Sequence, residues 1–348
     1  MNKLLLFILS LTVFASIFSC KIKKTPTEVI TQKDFRIGFY NVENLFDTID
    51  IDGKADEEFT PESKKKWNTE RYFKKLNDLA KVVDGMNYPA IMGLCEVENA
   101  TVLKDFIGET SLKNHDYHYV HFESPDFRGI DVAMIYQKKI FQVLNSETIE
   151  INFPKSIIGE EKYTTREILH VRGIFAKKDT LHIYINHFPS RRGGLEASEP
   201  KRTYVAEQLM KSVNSVFSKN KNANILLMGD FNDEPDNNSI TKTIGAKNLP
   251  ANNSETSLIN CAAEQDLMKK GTYNFRGNWN MLDQVIVSNA MLQKGGKLKI
   301  GEFQIFQKEW MMFKSDKYGL TPNRTYGGPN YYGGISDHLP VFVEVRVD

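Results

Sequence analysis

The sequence predicts a layered α/β domain over residues 34–348. Three observations carry that prediction: short apolar runs that abut a carboxylate, amide or imidazole, two stretches with helical apolar spacing, and Gly/Asn-rich loops between them. The apolar runs come first. Phe35 to Tyr40 runs into Asn41, and Ala90 to Cys95 runs into Glu96. Val132 to Tyr136 follows Asp131. Leu181 to Ile185 leads to Asn186-His187, and Ile225 to Met228 leads through Gly229 to Asp230. Val285 to Val287 follows Asp283, and Leu339 to Val345 follows Asp337-His338. Short runs rich in Val and Ile are the pattern of buried strands. The helical stretches are fewer. Thr69 to Val83 carries Tyr72, Leu76, Leu79, Ala80 and Val83 at helical spacing. Val205, Leu209, Val213, Val216 and Phe217 repeat the pattern, behind Ser198 as the expected N-cap and Pro200 in the expected first turn. Acids at so many strand ends direct several sheet edges toward one site.

The chain has 348 residues, 41% hydrophobic and 26% charged, which excludes a disordered tail, a collagen and a multi-pass membrane protein. That length allows two or three ordinary domains or one large one. No long linker and no fixed repeat divides it, so one domain is expected. Lys+Arg 45 against Asp+Glu 44 leaves no global positive field, and any polyanion must be held by a local cluster. Three cysteines cannot build a disulfide framework. Cys95 lies in an apolar run and is expected to be buried and inert rather than paired with Cys261.

Residues 1–19 read as an address. Lys3 precedes a run from Leu4 to Phe18 that is too short for a membrane span, which needs about 20 residues, and suits a secretory signal. It ends at Ser19-Cys20, followed by polar residues. A cysteine there resembles a bacterial lipoprotein signal, with Cys20 as the lipidated first residue and 20–33 as a tether. The expected location is the bacterial cell envelope, anchored to a membrane through Cys20.

The residues at the strand ends are of one chemical kind. Asn41, Glu43, Glu96, Asp230, Asn232 and Asp337 are hard oxygen ligands, and His187 and His338 are imidazoles. Phosphodiester cleavage needs such a set: oxygens for a hard divalent cation, a base for water, and donors for the charge on phosphorus. Taken singly, an Asn or Asp after a strand is a turn residue or cap, and a His beside a strand is a core residue. Taken together they are costly to desolvate unless paired or metal-bound.

Seven segments carry a family resemblance. They are Phe39-Tyr40-Asn41-Val42-Glu43-Asn44-Leu45, Gly93-Leu94-Cys95-Glu96, Arg128-Gly129-Ile130-Asp131-Val132-Ala133, Ile185-Asn186-His187-Phe188-Pro189-Ser190-Arg191-Arg192-Gly193-Gly194, Gly229-Asp230-Phe231-Asn232, Leu282-Asp283-Gln284 and Ser336-Asp337-His338-Leu339-Pro340-Val341. In this order they resemble the endonuclease/exonuclease/phosphatase superfamily, which includes pancreatic-type deoxyribonuclease, exonuclease III, inositol-polyphosphate phosphatases and sphingomyelinases. The resemblance implies a four-layer α/β/β/α sandwich of two mixed sheets. It implies that Asn41, Glu96 and Asp337, with Glu43 nearby, hold Mg²⁺ or Mn²⁺. It implies that Asp230 and Asn232 orient or deprotonate water, that Asp283 holds His338 on the phosphate, and that Asp131 and His187 form a second carboxylate–imidazole pair.

Two loops add candidates. Arg191 and Arg192 follow His187 closely, and their guanidiniums suit a substrate phosphate. Pro322 to Gly334 holds Arg324 among tyrosines and glycines, and reads either as an aromatic rim for a base or sugar or as an ordinary loop. Trp279, Tyr273 and Phe275 read as core packing, and Ser63-Lys64-Lys65-Lys66 as a solvated face. The expected function is a metal-dependent phosphoesterase, a DNA nuclease acting as a monomer. Its rivals are a phosphatase or phosphodiesterase for lipid or inositol phosphates and a catalytically dead binding lipoprotein. The intact Glu96, Asp230, Asn232, Asp283 and His338 set argues against the last.

Overall fold

The apolar runs become strands because each central strand is covered on both faces. The computed structural model describes residues 33–160, 162–248, 254–293 and 295–348; the expected signal, the expected lipidation site Cys20 and the expected tether up to residue 32 lie outside the described residues. In chain order the strands are β1 (Asp34–Leu45), β2 (Ile91–Val97), β3 (Tyr117–His121), β4 (Asp131–Gln137), β5 (Phe141–Ile149), β6 (Ile168–Phe175), β7 (Asp179–His187), β8 (Asn224–Asp230) and β9 (Leu258–Asn260). There follow β10 (Tyr273–Phe275), β11 (Asn278–Asn280), β12 (Asp283–Ser288), β13 (Leu298–Ile305), β14 (Met312–Ser315), β15 (Gly319–Pro322), β16 (Tyr326–Gly327), β17 (Asn330–Tyr331) and β18 (Val341–Val347). Three helices matter for the site: α1 (Thr69–Gly85), α2 (Ala100–Gly108) and α3 (Leu195–Lys219).

Two mixed 6-stranded sheets form the frame, ordered β13-β18-β1-β2-β4-β3 and β5-β6-β7-β8-β12-β9. Each has one parallel pair, β1 with β2 and β7 with β8. The period-2 alternation of strands sorts the side chains into layers. Tyr40, Val42, Met92 and Leu94 face Tyr72, Leu76, Leu79 and Val83 of α1. Tyr184, Ile225 and Leu227 face Val205, Leu209 and Val213 of α3. The residues between them in sequence meet where sheet packs on sheet. A Cβ at Gly93 would lie 2.9 Å from Met228 Cε and 3.1 Å from the Phe39 ring, so only glycine admits the two sheets this closely here. The layers run helix, sheet, sheet, helix.

The ends of α1 agree with its sequence pattern: Asn68 caps it by accepting from Arg71 N–H at 3.0 Å. Helix α3 does not. It starts at Gly194, so Ser198 lies inside it and donates back to Gly194 O at 2.5 Å, and Pro200 falls beyond the first turn. The extra turn is held by fully buried Arg202, whose guanidinium donates to Ser198 Oγ at 2.7 Å and to Leu195 O at 2.9 Å, and lies 2.7 Å from Asp233 Oδ1. An interior proline costs about 3 kcal/mol. Buried Val205, Leu209 and Val213, at about 1.5–3 kcal/mol each, outweigh it.

A histidine pair on β6 and β7 makes stability depend on pH. His170 Nδ1 is 2.9 Å from Glu147 Oε1, and its Nε2 is 3.1 Å from His182 Nδ1. Burial pushes both imidazoles down, His182 to about 4. A folded-state value below the unfolded one, about 6.5, means the stability is fully present above that pH and is lost as pH falls toward about 4. His182 is part exposed, so the loss attributable to it is discounted to about 1 kcal/mol. Denaturant unfolding at pH 7.5 and 4.5 should show a smaller drop for His182→Gln than for wild type; equal drops would mean that His182 titrates freely in the fold.

Candidate active site

Strand register assembles one wall of the site. Parallel pairing of β7 and β8 sets His187 beside Asp230, and antiparallel pairing of β8 and β12 sets Asp230 beside Asp283. Asp283 Oδ2 lies 2.7 Å from His338 Nδ1. His338 Nε2 stands 3.9 Å from Asp230 Oδ2, and His187 Nε2 stands 3.8 Å from the same oxygen. Asp230 also accepts from Asn232 N–H at 2.9 Å and from Asn41 Nδ2 at 3.0 Å. One carboxylate therefore sits between two imidazoles and two amide donors.

The two imidazoles differ in charge. Burial works against a charged His338, but Asp283, Asp230 and Asp337 outweigh it and hold this ring protonated well above its ordinary range. Burial, with the Arg166 and Arg128 guanidiniums adding to it, pushes His187 well below its ordinary range, so it is neutral. Its Nδ1 is buried without a partner among the described residues. Burial raises the Asp230 carboxyl to about 6; His338 opposes the rise and Asp283 adds to it. Environments that push neighbouring groups apart in this way are how one site supplies both a proton donor and a proton acceptor.

The facing wall comes from the other sheet. The pairing of β1 with β2 shifts register between Asn41 and Leu45, and that of β2 with β4 between Cys95 and Val97. Inside these irregularities Glu43, Asn44 and Glu96 take φ of 49°, 53° and 63°, and across the cleft Asn232 takes 48°. Each such non-glycine residue costs on the order of 1–3 kcal/mol, and their concentration at one end of the sheets is how a functional site re-aims its side chains. Asn41, Glu96 and Asp337 line the same cleft of about 890 Å³ as Asp230, Asn232, His187 and His338. Glu96 is held by Asn44 N–H on Oε2 at 2.9 Å and Asp337 by Arg324 on Oδ2 at 3.2 Å. The Glu96 and Asp337 carboxylates are part exposed and suit a hard divalent cation that keeps part of its water; the Asn41 amide beside them is buried and its Oδ1 already accepts from Glu43 N–H at 3.0 Å. Tight groups also surround Asp230, with Asp283 and His338 and with His187 and Cys95, their ligand atoms within 4.8 Å of one another. Burial raises the Cys95 thiol well above its ordinary value, so it stays a neutral core group rather than a metal thiolate.

Glu43 lines the same cleft and also fastens a loop. Its carboxylate accepts from Thr325 N–H at 2.7 Å and Tyr326 N–H at 3.3 Å, fastening the loop that precedes Asp337. Below it, fully buried Lys75 of α1 donates to Glu43 O at 2.7 Å, Thr325 Oγ1 at 2.6 Å and Ile335 O at 2.9 Å. Ser336 donates to Asn41 O at 2.7 Å. The sequence signal for Lys75 is a charge on the apolar stripe of α1; Ser336 precedes Asp337-His338 but carries no distinguishing mark.

Several sequence expectations need correction. Asp131 does not pair with His187. It accepts from Ser124 N–H at 2.9 Å and lies 3.0 Å from His121 Nε2, outside the residues lining the cleft. His187 is instead pinned by buried Arg166, which donates to His187 O at 3.1 Å and Phe188 O at 2.8 Å and pairs with Asp126 at 3.1 Å. Arg191 lines the cleft, but its Nε donates to Asn232 O at 2.7 Å and its Nη2 to Asn237 Oδ1 at 3.0 Å. Those two bonds hold the Asn232 turn with two of the five guanidinium N–H groups, so Arg191 has a structural task on the cleft wall that its sequence position did not indicate. Arg192 is exposed and outside the lining. Lys65, read as part of a solvated face, lines the cleft with its side chain only 13% exposed, and Arg128 joins it there. Phe275 is 52% exposed rather than core.

The family model described as Endonuclease/Exonuclease/phosphatase family matches residues 36–347. No curated protein sequence matches the chain. Among solved structures, a mannosyl-6-phosphatase from Bacteroides thetaiotaomicron is similar at 15% identity, covering 89% of this chain and 99% of its own, with a TM-score of 0.55. D. rerio TDP2 complexed with a single strand DNA product is similar at 13% identity, covering 91% and 100%, with a TM-score of 0.55. An endonuclease/exonuclease/phosphatase family protein from Bacteroides thetaiotaomicron is similar at 15% identity, covering 90% and 98%, with a TM-score of 0.55.

Proposed function

The chain belongs to the endonuclease/exonuclease/phosphatase family, whose members are metal-dependent hydrolases of phosphoester bonds, and on that premise we propose that it cleaves DNA with Mg²⁺ or Mn²⁺. The observation that carries this reading is the Asp230 carboxylate set between cationic His338 and neutral His187, across from Asn41, Glu96 and Asp337. A bound divalent cation would supply charge neutralisation at the phosphate oxygens and ease departure of the leaving oxygen. Glu96 and Asp337, with the Asn41 amide, would hold it. Asp230 orients the attacking water and takes its proton, fixed in place by Asn41 Nδ2 and Asn232 N–H. His338, oriented by Asp283, donates from Nε2 to a non-bridging oxygen as negative charge builds there.

The choice of DNA is supported by the cleft itself. It exceeds the size of one phosphate and carries Lys65, Arg128 and Arg324 on its walls, each paired with an acid at 3.1–3.7 Å and each a cation that a strand of phosphates could engage. A protein of this fold, D. rerio TDP2, has been crystallised with a single strand DNA product. Purified full-length protein should cut plasmid or oligonucleotide with Mg²⁺ or Mn²⁺ and not with EDTA. Rapid phosphate release from a sugar phosphate or phospholipid, with DNA left intact, would reverse the choice.

The arginines separate by task. Arg128→Ala should reduce the slope of log affinity against log salt by about one, as for one lost phosphate contact. Arg191→Ala should lower kcat by loosening Asn232 and leave that slope unchanged. The opposite pattern in salt titrations would return Arg191 to direct phosphate contact.

A further inference from the structure

Beside the catalytic cleft lies a second pocket of about 440 Å³. The hairpins β10–β11 and β14–β15 and the loop around Gly327 enclose it, and it shares Tyr273, Phe275, Arg324 and Asp337 with the cleft. Its rim carries aromatic rings turned to solvent: Phe275 is 52% exposed, Phe313 55% and Tyr332 60%. Single exposed rings need no explanation, but several around one concavity mark a ligand surface. Tyr332 lies against Gly327, where a Cβ would sit 2.5 Å from its ring, so the missing side chain sets that ring's position.

The pocket also holds an unmet donor. Asn274 lines it and is only 9% exposed, and its Nδ2 is buried with no partner among the described residues. Its Oδ1 is committed to Gly277 N–H at 2.9 Å, holding the tight turn in which Arg276 and Gly277 take φ of 53° and 91°. The Nδ2 is itself closed to solvent, so what Asn274 contributes to the pocket is this turn, which sets Phe275 and Arg276 on its wall.

We propose that this pocket seats an unstacked nucleobase next to the scissile phosphate, an assignment that rests on the nuclease reading above. A nucleobase meets each feature in turn. Its flat face stacks on the exposed Phe275, Phe313 and Tyr332 rings that line the concavity. Arg324, common to pocket and cleft and 3.2 Å from Asp337, ties the base's own phosphate to the reaction centre. An acyl chain offers no flat face to stack on the rings. A base paired in a duplex must leave its stack to enter. The enzyme therefore prefers single strands, frayed ends and gaps over continuous duplex.

The test uses the full chain and end-labelled single-stranded oligonucleotides in which one abasic position is scanned across a cleavage site. For wild type, one position should lower kcat/KM about tenfold when its base is removed. The Phe313→Ala/Tyr332→Ala double variant should lose a similar factor on the intact strand and show no further loss at that position. Both side chains are exposed, so the fold should tolerate the change, and Gly327→Ala, which displaces the Tyr332 ring, should move in the same direction. Wild-type rates for the variants on intact strands, or an unchanged abasic penalty, would overturn the pocket assignment and leave the nuclease reading standing. No cleavage of any oligonucleotide would overturn the nuclease reading, and the nucleobase with it.

Discussion

Glu96→Gln should abolish hydrolysis and leave the fold intact. The substitution keeps the length of the side chain and the acceptor for Asn44 N–H, which holds Glu96 at 2.9 Å in its φ 63° conformation. It removes the charge that would attract a divalent cation to this wall on the proposed reading. Catalysis in the family depends on that ion, so a loss of at least about a thousandfold in kcat/KM is expected. Titration calorimetry should show weakened Mn²⁺ binding, and circular dichroism an unchanged fold. A folded variant that binds Mn²⁺ and turns over like wild type would move the cation away from Glu96, with the groups around Asp230 as the next location to test.

His338→Ala should slow turnover by about a hundredfold to a thousandfold, the usual effect of removing one pre-aimed donor from a developing oxyanion. His338 is the cationic member of the imidazole pair, and Asp283 fixes it at 2.7 Å. Asp283→Asn should give a smaller loss in the same direction, because the ring stays but its charge is no longer supported. His187→Ala tests the neutral member. If His187 touches the reacting groups, kcat falls while metal binding holds; if it only spaces Glu96 from Asp230, kcat is nearly unchanged. Rates measured for all three variants with saturating metal would distinguish these roles, and a wild-type kcat for His338→Ala would remove it from the phosphate.

Much of the site was legible because its residues sit where apolar runs stop. Asp230 ends β8, His187 ends β7 and Asp283 starts β12, so local alternation placed each on its strand, and register then brought them side by side. Glu96 was visible for the same reason, at the end of the β2 run. The loops were less legible. Arg191 reads as a phosphate ligand because it lies near His187 in sequence, and the structure adds that two of its donors close on the Asn232 turn some 40 residues away. Lys65 looked solvated because its neighbours are lysines, yet it lines the cleft against Glu58 at 3.1 Å and over the Phe59 ring at 4.2 Å. Lys75 and Arg166 lacked a local motif, and their roles lie wholly in what they hold.

The sequence by itself determined the strands β1, β2, β4, β7, β8, β12 and β18, the apolar faces of α1 and α3, and the order of acids at those strand ends. Those features follow from periodic apolar burial and from the cost of ending a buried strand on an unpaired charge, both of which act over a few residues. The tertiary structure alone decided which partner each charge takes. Asp131 meets His121 rather than His187 because loop 124–130 folds back on its own strand, where Gly129 turns at φ 69° and Ser124 N–H reaches the carboxylate. The extra turn of α3 exists because Arg202 finds Asp233 across the fold. Such pairings depend on distances between segments far apart in the chain, and only the packed sheets set those distances.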